Sequence, residues 1–206
     1  MKVDILGSGH SLKDFNYNPE RKVWGCSTLT FPDFVPDTIF EMHSYLDKHY
    51  VKDKPCKRLV MGVLIDGMKN AIEYPLQEVI DATGTDYYRS TPAYMLGLAI
   101  LEGATDIMLY GLDMDSTAEY AAQLPSLTYL IGYARGKGIK CEVSQSGILL
   151  KSPFLYGYYD NRNIQEYYKQ KKKMVEQKKQ GAKSEAEYHQ WLGYELAIEQ
   201  QIRLWS

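Results

Sequence analysis

Apolar residues form short, nearly uninterrupted runs along the first three quarters of the chain, and such runs are typical of strands buried on both faces. The run from Ile107 to Leu112 predicts a central strand of a parallel sheet. A helix is predicted before it, because Ser90 and Thr91 can cap a helix whose apolar face follows. Asp113 comes directly after the predicted strand.

Ligands of doubly wound sheets bind outside the carboxyl ends of the strands. A helix start and a strand end at such an edge predict a binding site made by Ser90, Thr91, Gly111 and Asp113. The alternative role of Asp113 is structural, because an aspartate after a strand often holds a loop through backbone hydrogen bonds. On the functional interpretation, Asp113→Ala is expected to leave the fold intact and to abolish ligand binding.

Other apolar runs and helical patterns alternate along the chain. Strands are predicted at 2–6, 22–26, 38–42, 58–63 and 139–143, and helices at 44–51, at 75–82 and around 127–134. Residues 116–120 are predicted to form a polar loop over the site. Strands that alternate with helices predict an α/β fold with a Rossmann-like, mostly parallel sheet flanked by helices.

A glycine-rich turn follows the first predicted strand directly. Gly7 and Gly9 would let backbone N–H groups approach a phosphate, and Ser8 and Ser11 add hydroxyl donors. The turn is neither a GxGxxG motif nor a P-loop, so a plain tight turn between a strand and a helix is the alternative. His10 is interpreted as an exposed loop residue.

Polar residues also follow the second and third predicted strands. Ser27 and Thr28 come after one strand, and His43 comes after the other. The carboxyl ends of parallel strands share one edge of a sheet, so these residues are predicted to lie beside the glycine turn. His43 has two interpretations, a catalytic group or a histidine that satisfies a loop.

The composition changes near Asp160. Eight basic residues then lie in a segment of high helix propensity, and a second helix begins at Ser184 with a capping box to Glu187. The sequence therefore predicts a Rossmann-like nucleotide-binding domain over 1–158 and a C-terminal helical hairpin over 159–206. The apolar stripe of the hairpin packs either on the domain or between subunits of a homo-oligomer. The basic helix is interpreted as a solvated face, with phosphate or membrane-surface attraction as the alternative.

Charge and cysteine content narrow the classes of partner and compartment. The 206 residues carry a net charge of −2, which gives no field that attracts nucleic acid, so no nucleic-acid partner is expected. The three cysteines lack a CxxC motif, which fits a reducing compartment. The chain start does not resemble a secretory signal and no apolar stretch could span a membrane, so a cytoplasmic location is expected.

Three motifs together resemble one superfamily. Residues 5–12 (ILGSGHSL) resemble the glycine loop of the Campylobacter-type bacterial sialyltransferases, and the DUF115 group shares this loop. That group includes motility accessory proteins and archaeal hydroxymethylpterin diphosphokinases. Residues 89–95 (RSTPAYM) look like the helix start of the superfamily, and 105–113 (TDIMLYGLD) like its strand that ends in aspartate. Residues 119–125 and 146–157 are similar to segments of uncharacterised phage-encoded relatives, which implies a phage protein in a host cytoplasm.

The resemblance implies a site for a cytidine nucleotide-sugar and no metal or other cofactor. It implies that the glycine turn holds phosphate or ribose and that Asp113 lies beside the sugar. By the same resemblance, the nucleotide and its phosphate would meet Ser27, Thr28, Ser90 and Thr91. His10 departs from the pattern, because the family has proline there.

The catalytic group is less well indicated. The sialyltransferases use a histidine base after the aspartate strand, whereas residues 115–151 contain no histidine. Glu119, or His43 from the other side, is the candidate base, and Tyr120 is a candidate for helping the phosphate leave.

Three functions therefore stay open. The first is a metal-independent glycosyltransferase that uses a CMP-sugar. The second is a diphosphokinase in which Asp113 and Asp115 hold Mg²⁺. The third is a phage-encoded protein without enzymatic activity that binds a nucleotide or interacts with another protein.

Overall fold

The computed structural model describes residues 1–43, 51–114, 118–155 and 157–205, without the side chains of residues 118 and 119. In this part of the chain the strands are β1 (Lys2–Leu6), β2 (Lys22–Cys26), β3 (Thr38–Glu41), β4 (Arg58–Met61), β5 (Ala71–Glu73), β6 (Asp106–Tyr110) and β7 (Lys140–Val143). They form one parallel sheet in the order β5-β4-β3-β2-β1-β6-β7.

Helices connect and follow the strands. They are α1 (Leu76–Thr83), α2 (Thr91–Leu101), α3 (Ala118–Gly136), α4 (Asn161–Gln180) and α5 (Glu185–Leu204), and a 3-10 helix covers His10–Asp14. The predicted α/β class, with a Rossmann-like parallel sheet and a C-terminal helical hairpin, is confirmed.

The predicted strands agree with the structure at their starts more closely than at their ends. The strands at 2–6 and 22–26 match residue for residue, whereas those at 38–42 and 58–63 end one and two residues earlier than predicted. The strand predicted from Ile107 to Leu112 ends at Tyr110, because Gly111 takes a φ of 65° and turns the chain.

Two features differ from the predictions. The edge strand β5 was not predicted, since a short strand with one neighbour and two exposed residues has no apolar run. Tyr120 lies in α3 rather than in a loop, because this helix begins at Ala118. Of the helix predicted at 44–51, residues 44–50 lie outside the described part of the chain.

Alternate strand residues point to opposite faces of the sheet, and each face has its own core. Ile5 and Leu109 are buried in one cluster with Leu96 of α2 and Leu130 of α3. The second cluster contains Ile39, Val51, Leu59 and Met61. Each face of the sheet therefore buries an apolar cluster, and the central strand β1 also buries Asp4, which accepts a hydrogen bond from Arg21.

The chain divides into two compact units, one with the sheet and its flanking helices and one with α4 and α5. Within the second unit, ion pairs join the helices through Lys172 with Glu199 and Lys179 with Glu195. The boundary at 158 and 159 stays a prediction. Among the described helices, none combines the length and apolar character that a membrane span needs.

Candidate active site at the carboxyl edge of the sheet

The junction of β1 and β6 is the point where the strand order reverses. The chain leaves β1 towards β2 on one side and returns beside it as β6 on the other. Open α/β sheets bind ligands outside the strand ends at such a point. Two backbone hydrogen bonds continue the strand pairing past the ends, from Gly7 N–H to Tyr110 O and from Gly9 N–H to Gly111 O, both at 2.8 Å.

Glycine is required in these two turns by their mutual approach. A Cβ on Gly7 would lie 2.5 Å from the carbonyl oxygen of Gly111, and a Cβ on Gly9 would lie 2.4 Å from Oδ2 of Asp113. Both distances are shorter than any ordinary van der Waals contact. The glycine pattern thus has a packing reason in addition to any ligand that the turn binds.

Asp113 joins the loops that follow three strands. Its side chain is 5% exposed, and Oδ2 accepts a hydrogen bond from Ser11 N–H at 2.9 Å and lies 3.2 Å from Nδ1 of His10. The other oxygen accepts from Ile148 N–H at 3.4 Å, beyond β7. Ser11 Oγ in turn accepts from Gly111 N–H at 2.9 Å. The carboxylate therefore links the loops that follow β1, β6 and β7.

His10 takes part in the same network and is more than the exposed loop residue that the sequence predicts. Its Nε2 lies 3.1 Å from the carbonyl oxygen of Ser146, so both ring nitrogens face oxygen atoms. Asp14 accepts a hydrogen bond from Ser146 N–H at 2.6 Å, and this bond holds the pKa of the Asp14 carboxyl below its usual range. The family that the sequence resembles has proline at the position of His10, and this difference was the sequence signal that His10 has a role of its own.

Ser8 is the member of the glycine turn that faces outward. It is exposed, and within the described part of the chain neither its backbone N–H nor its hydroxyl donates a hydrogen bond. A ligand that approaches this turn can therefore meet both donors of Ser8.

The amino end of α2 lies at the same edge. Ser90 is the N-cap, with its hydroxyl accepting a hydrogen bond from Ala93 N–H at 3.3 Å, as predicted. Met95 Sδ lies 3.9 Å from Cys26 Sγ at the end of β2, so the helix begins beside that strand end. Thr28 after β2 is exposed, whereas Ser90 is buried.

A second buried carboxylate lies at the end of β3. Glu41 is fully buried, and its Oε1 accepts a hydrogen bond from His43 N–H at 2.8 Å. The same oxygen lies 2.7 Å from Nδ1 of the His43 ring, which is 42% exposed. The sequence predicted His43 at this edge but not the carboxylate that holds it. The signal was available, since an acid within an apolar strand, two residues before a histidine, is an uncommon pattern.

Lys54 fastens the segment after β2. Its ammonium donates hydrogen bonds to the carbonyl oxygens of Ser27 and Leu29. Burial lowers the pKa of Lys54, and the charge of Glu41 opposes this effect. Burial, with the Glu41 charge adding to it, raises the pKa of the Cys26 thiol to about 12, so this cysteine is a neutral thiol and not a nucleophile. A cavity of about 200 Å³ lies beside Lys54, lined by Leu29, Thr30, Phe31, Pro32, Ile39 and Pro55.

The remaining predicted residues are only partly described. Tyr120 lies in the first turns of α3, while the side chain of Glu119 and all of Asp115 lie outside the described residues. The structure thus brings the glycine turn, Ser11, Gly111 and Asp113 into one network, and it pairs His43 with a carboxylate. The catalytic and ligand-binding roles of all these residues stay predictions.

No protein-family model matches the chain, and no curated protein matches its sequence. Among solved structures, the sialyltransferase CstII from Campylobacter jejuni in complex with the substrate analogue CMP-3FNeuAc has a similar fold. The TM-score is 0.53 at 17% identity, and the match covers 75% of this chain and 88% of the CstII chain. CstII with cytidine-5'-monophosphate gives a TM-score of 0.47 at 15% identity, covering 74% of this chain and 81% of that one. At this identity the likeness shows a shared fold.

Proposed function

We propose that the chain binds a CMP-sugar or a related nucleotide-sugar at the carboxyl edge of its sheet and transfers the sugar without a metal. The observation that supports this most is the arrangement at the strand-order reversal. A glycine turn with an outward-facing Ser8 lies at the same edge as the amino end of α2. The fold is shared with CstII, whose structure contains a CMP-sugar analogue.

The ligand contacts would come from the exposed Ser8 and Thr28 and from the half-buried Thr91 at this edge. Ser8 offers a backbone N–H and a hydroxyl, Thr28 a hydroxyl, and Thr91 the free amino end of a helix, which favours phosphate through its dipole. Ser27 and Ser90 are buried, so they would support the edge without contacting the ligand directly. Asp113 contributes by fixing the turn that carries Ser8, since its oxygens face the loops.

The transfer itself needs a base for the acceptor hydroxyl and a group that helps the phosphate leave. His43 and Glu119 are the proposed bases, and Tyr120 is the proposed partner of the leaving phosphate. No cofactor is proposed, and Mg²⁺ enters only if the chain is a diphosphokinase instead. Membership of the DUF115 group, a phage origin, a cytoplasmic location and pairing of subunits through α4 and α5 are further proposals, supported by the sequence motifs and composition.

Calorimetric titration of the purified protein with CMP, CMP-sialic acid and cytidine, each with Mg²⁺ or with EDTA, tests the proposal. We expect CMP and CMP-sialic acid to bind equally well in both buffers and cytidine to bind more weakly, because it lacks the phosphate. Ser8→Glu should weaken CMP at least about tenfold through charge repulsion at the turn. Asn16→Glu, an exposed site on the same segment, should not.

Three results would contradict the proposal in different ways. Binding of ATP only with Mg²⁺ would favour the diphosphokinase. Binding of CMP without hydrolysis of CMP-sialic acid would favour a nucleotide-binding protein without enzymatic activity. No binding of any nucleotide would exclude the proposed site.

A further inference from the structure

We propose that Glu41 and His43 form the acid–base pair of this site, with Glu41 as the positioning residue that holds the His43 ring. The inference rests on the proposed function and names the group that carries the proton. It assigns to a buried strand residue, Glu41, a role that the sequence did not indicate.

The burial of Glu41 is the first observation. A carboxylate at 0% exposure at the end of a buried strand costs free energy unless it is paired and hydrogen-bonded. Glu41 lies in β3 beside Met61 of β4, and its Oε1 turns to His43 two residues later. Such buried ionisable groups concentrate at functional sites, although structural networks contain them too.

The geometry of the pair fixes the ring. Oε1 of Glu41 lies 2.7 Å from Nδ1 and also accepts the His43 backbone N–H, so the carboxylate is the acceptor for Nδ1–H. In the neutral ring the other nitrogen, Nε2, is then the basic one. The ring is 42% exposed while the carboxylate is fully buried. The pair therefore connects a buried negative charge to a base that a ligand at the edge can reach.

The other histidine–carboxylate pair at this edge has a different arrangement. Nε2 of His10 lies 3.1 Å from the carbonyl oxygen of Ser146, which can only accept, so this nitrogen carries a proton and does not act as a base. Its Nδ1 lies 3.2 Å from Oδ2 of the buried Asp113. His10 is thus held as a bridge between loops, and His43 is the better base.

Two other titratable groups lie near Glu41. Cys26 on the neighbouring strand stays a neutral thiol, because burial and the Glu41 charge raise its pKa to about 12. Lys54 donates to the carbonyl oxygens of Ser27 and Leu29, which ties the proposed nucleotide-contacting segment to the loop after β3.

The proposed step is an inverting displacement. The oxygen of an acceptor hydroxyl forms a bond to the anomeric carbon of the CMP-sugar while its proton moves to Nε2 of His43. The bond from the anomeric carbon to the phosphate oxygen breaks, and CMP leaves with that electron pair. The buried Glu41 carboxylate stabilises the imidazolium that forms, and a later proton loss to solvent restores the pair.

The test compares His43→Gln and Glu41→Gln with His189→Gln. His189 is a matched control, since it is 63% exposed on α5 and lies 3.7 Å from Glu185 one helical turn away. With CMP-sialic acid as donor and water as acceptor, kcat should fall about 10²- to 10⁴-fold in His43→Gln. It should fall about tenfold or more in Glu41→Gln, because the ring loses its fixed tautomer. KM and the affinity for CMP should stay within about twofold of the wild type in both, and His189→Gln should match the wild type.

A spectroscopic readout separates positioning from mere folding. Nitrogen-15 NMR of the histidine rings should show His43 with its proton on Nδ1 in the wild type and as a mixture of tautomers in Glu41→Gln. A wild-type ring with its proton on Nε2, or a His43→Gln variant that turns over like the wild type, would overturn the inference and leave the proposed function standing. If the wild type binds no CMP, the proposed function is wrong, and the assignment of Glu41 and His43 that rests on it is wrong too.

Discussion

Two buried carboxylates lie at the same edge of the sheet, and their partners differ. Asp113 is held by backbone N–H groups of Ser11 and Ile148 and by His10, whose second nitrogen faces a carbonyl. Glu41 is fully buried, and its Oε1 faces both the backbone N–H and the ring of His43, whose side chain is 42% exposed. A buried acid at a strand end thus indicates function when it holds a second, exposed side chain that a ligand can reach. An acid bonded mainly to loop backbone indicates architecture.

Removing the Asp113 carboxylate should have the largest effect on stability. Asp113→Ala leaves the N–H groups of Ser11 and Ile148 without their acceptor and removes the carboxylate beside Nδ1 of His10. We expect a loss of about 3 kcal/mol in the free energy of unfolding, measured by urea denaturation at pH 7. This replaces the expectation from sequence that the fold stays intact.

The control is Asp66→Ala, an exposed aspartate without a described partner, which should change stability by less than about 0.5 kcal/mol. If Asp113→Ala were as stable as the wild type but failed to bind CMP, Asp113 would belong to the ligand site and the comparison above would be wrong.

The sheet was predictable because its strands are buried on both faces and leave uninterrupted apolar runs. The pattern at 2–6 and 22–26 needs little tertiary information, since most residues of these strands are apolar or lie at an end, and only Asp4 interrupts the run of the first strand. The edge strand β5 could not be found in this way. One neighbour and solvent on the far side remove the requirement for apolar residues.

The location of the site could be predicted from the sequence, whereas the bonds that its side chains make could not. Strand ends with small and polar residues indicated the edge, and the N-cap at Ser90 was found from residue types alone. What Asp113 and Glu41 bond to depends on loops that lie far apart in sequence. Ile148 and Ser11 meet the same carboxylate only because β1, β6 and β7 are neighbours, and no local pattern encodes that.

A substitution in the glycine turn also tests the structural role of Asp113, with a smaller expected effect. Gly9→Ala would place a Cβ 2.4 Å from Oδ2 of Asp113 and 2.9 Å from the carbonyl oxygen of Gly111, so the turns must move apart. We expect a loss of about 2 kcal/mol in the free energy of unfolding by urea denaturation.

Gly132→Ala is the matched control, because no atom outside the local helix backbone lies within 4 Å of the added Cβ and the residue is inside α3. It should stabilise the chain by about 0.5–1 kcal/mol through helix propensity. Equal effects of the two substitutions would mean that the turns after β1 and β6 do not pack as closely as described.

The smallest expected effect concerns Asp14, which joins the architectural network through Ser146. The hydrogen bond from Ser146 N–H lowers the pKa of Asp14 in the folded chain below its ordinary value of 3.8. A lowered pKa contributes stability above the ordinary value, and that contribution is lost as the pH falls through the folded-state pKa. Asp14→Asn should therefore be less stable than the wild type at pH 7, and the difference should shrink as the pH is lowered from about 4 towards 2. Urea denaturation of both proteins across this range measures it, with Asp66→Asn as a control in which no such difference develops. A difference that stayed constant with pH would show that the charge of Asp14 is not what joins the loops after β1 and β7.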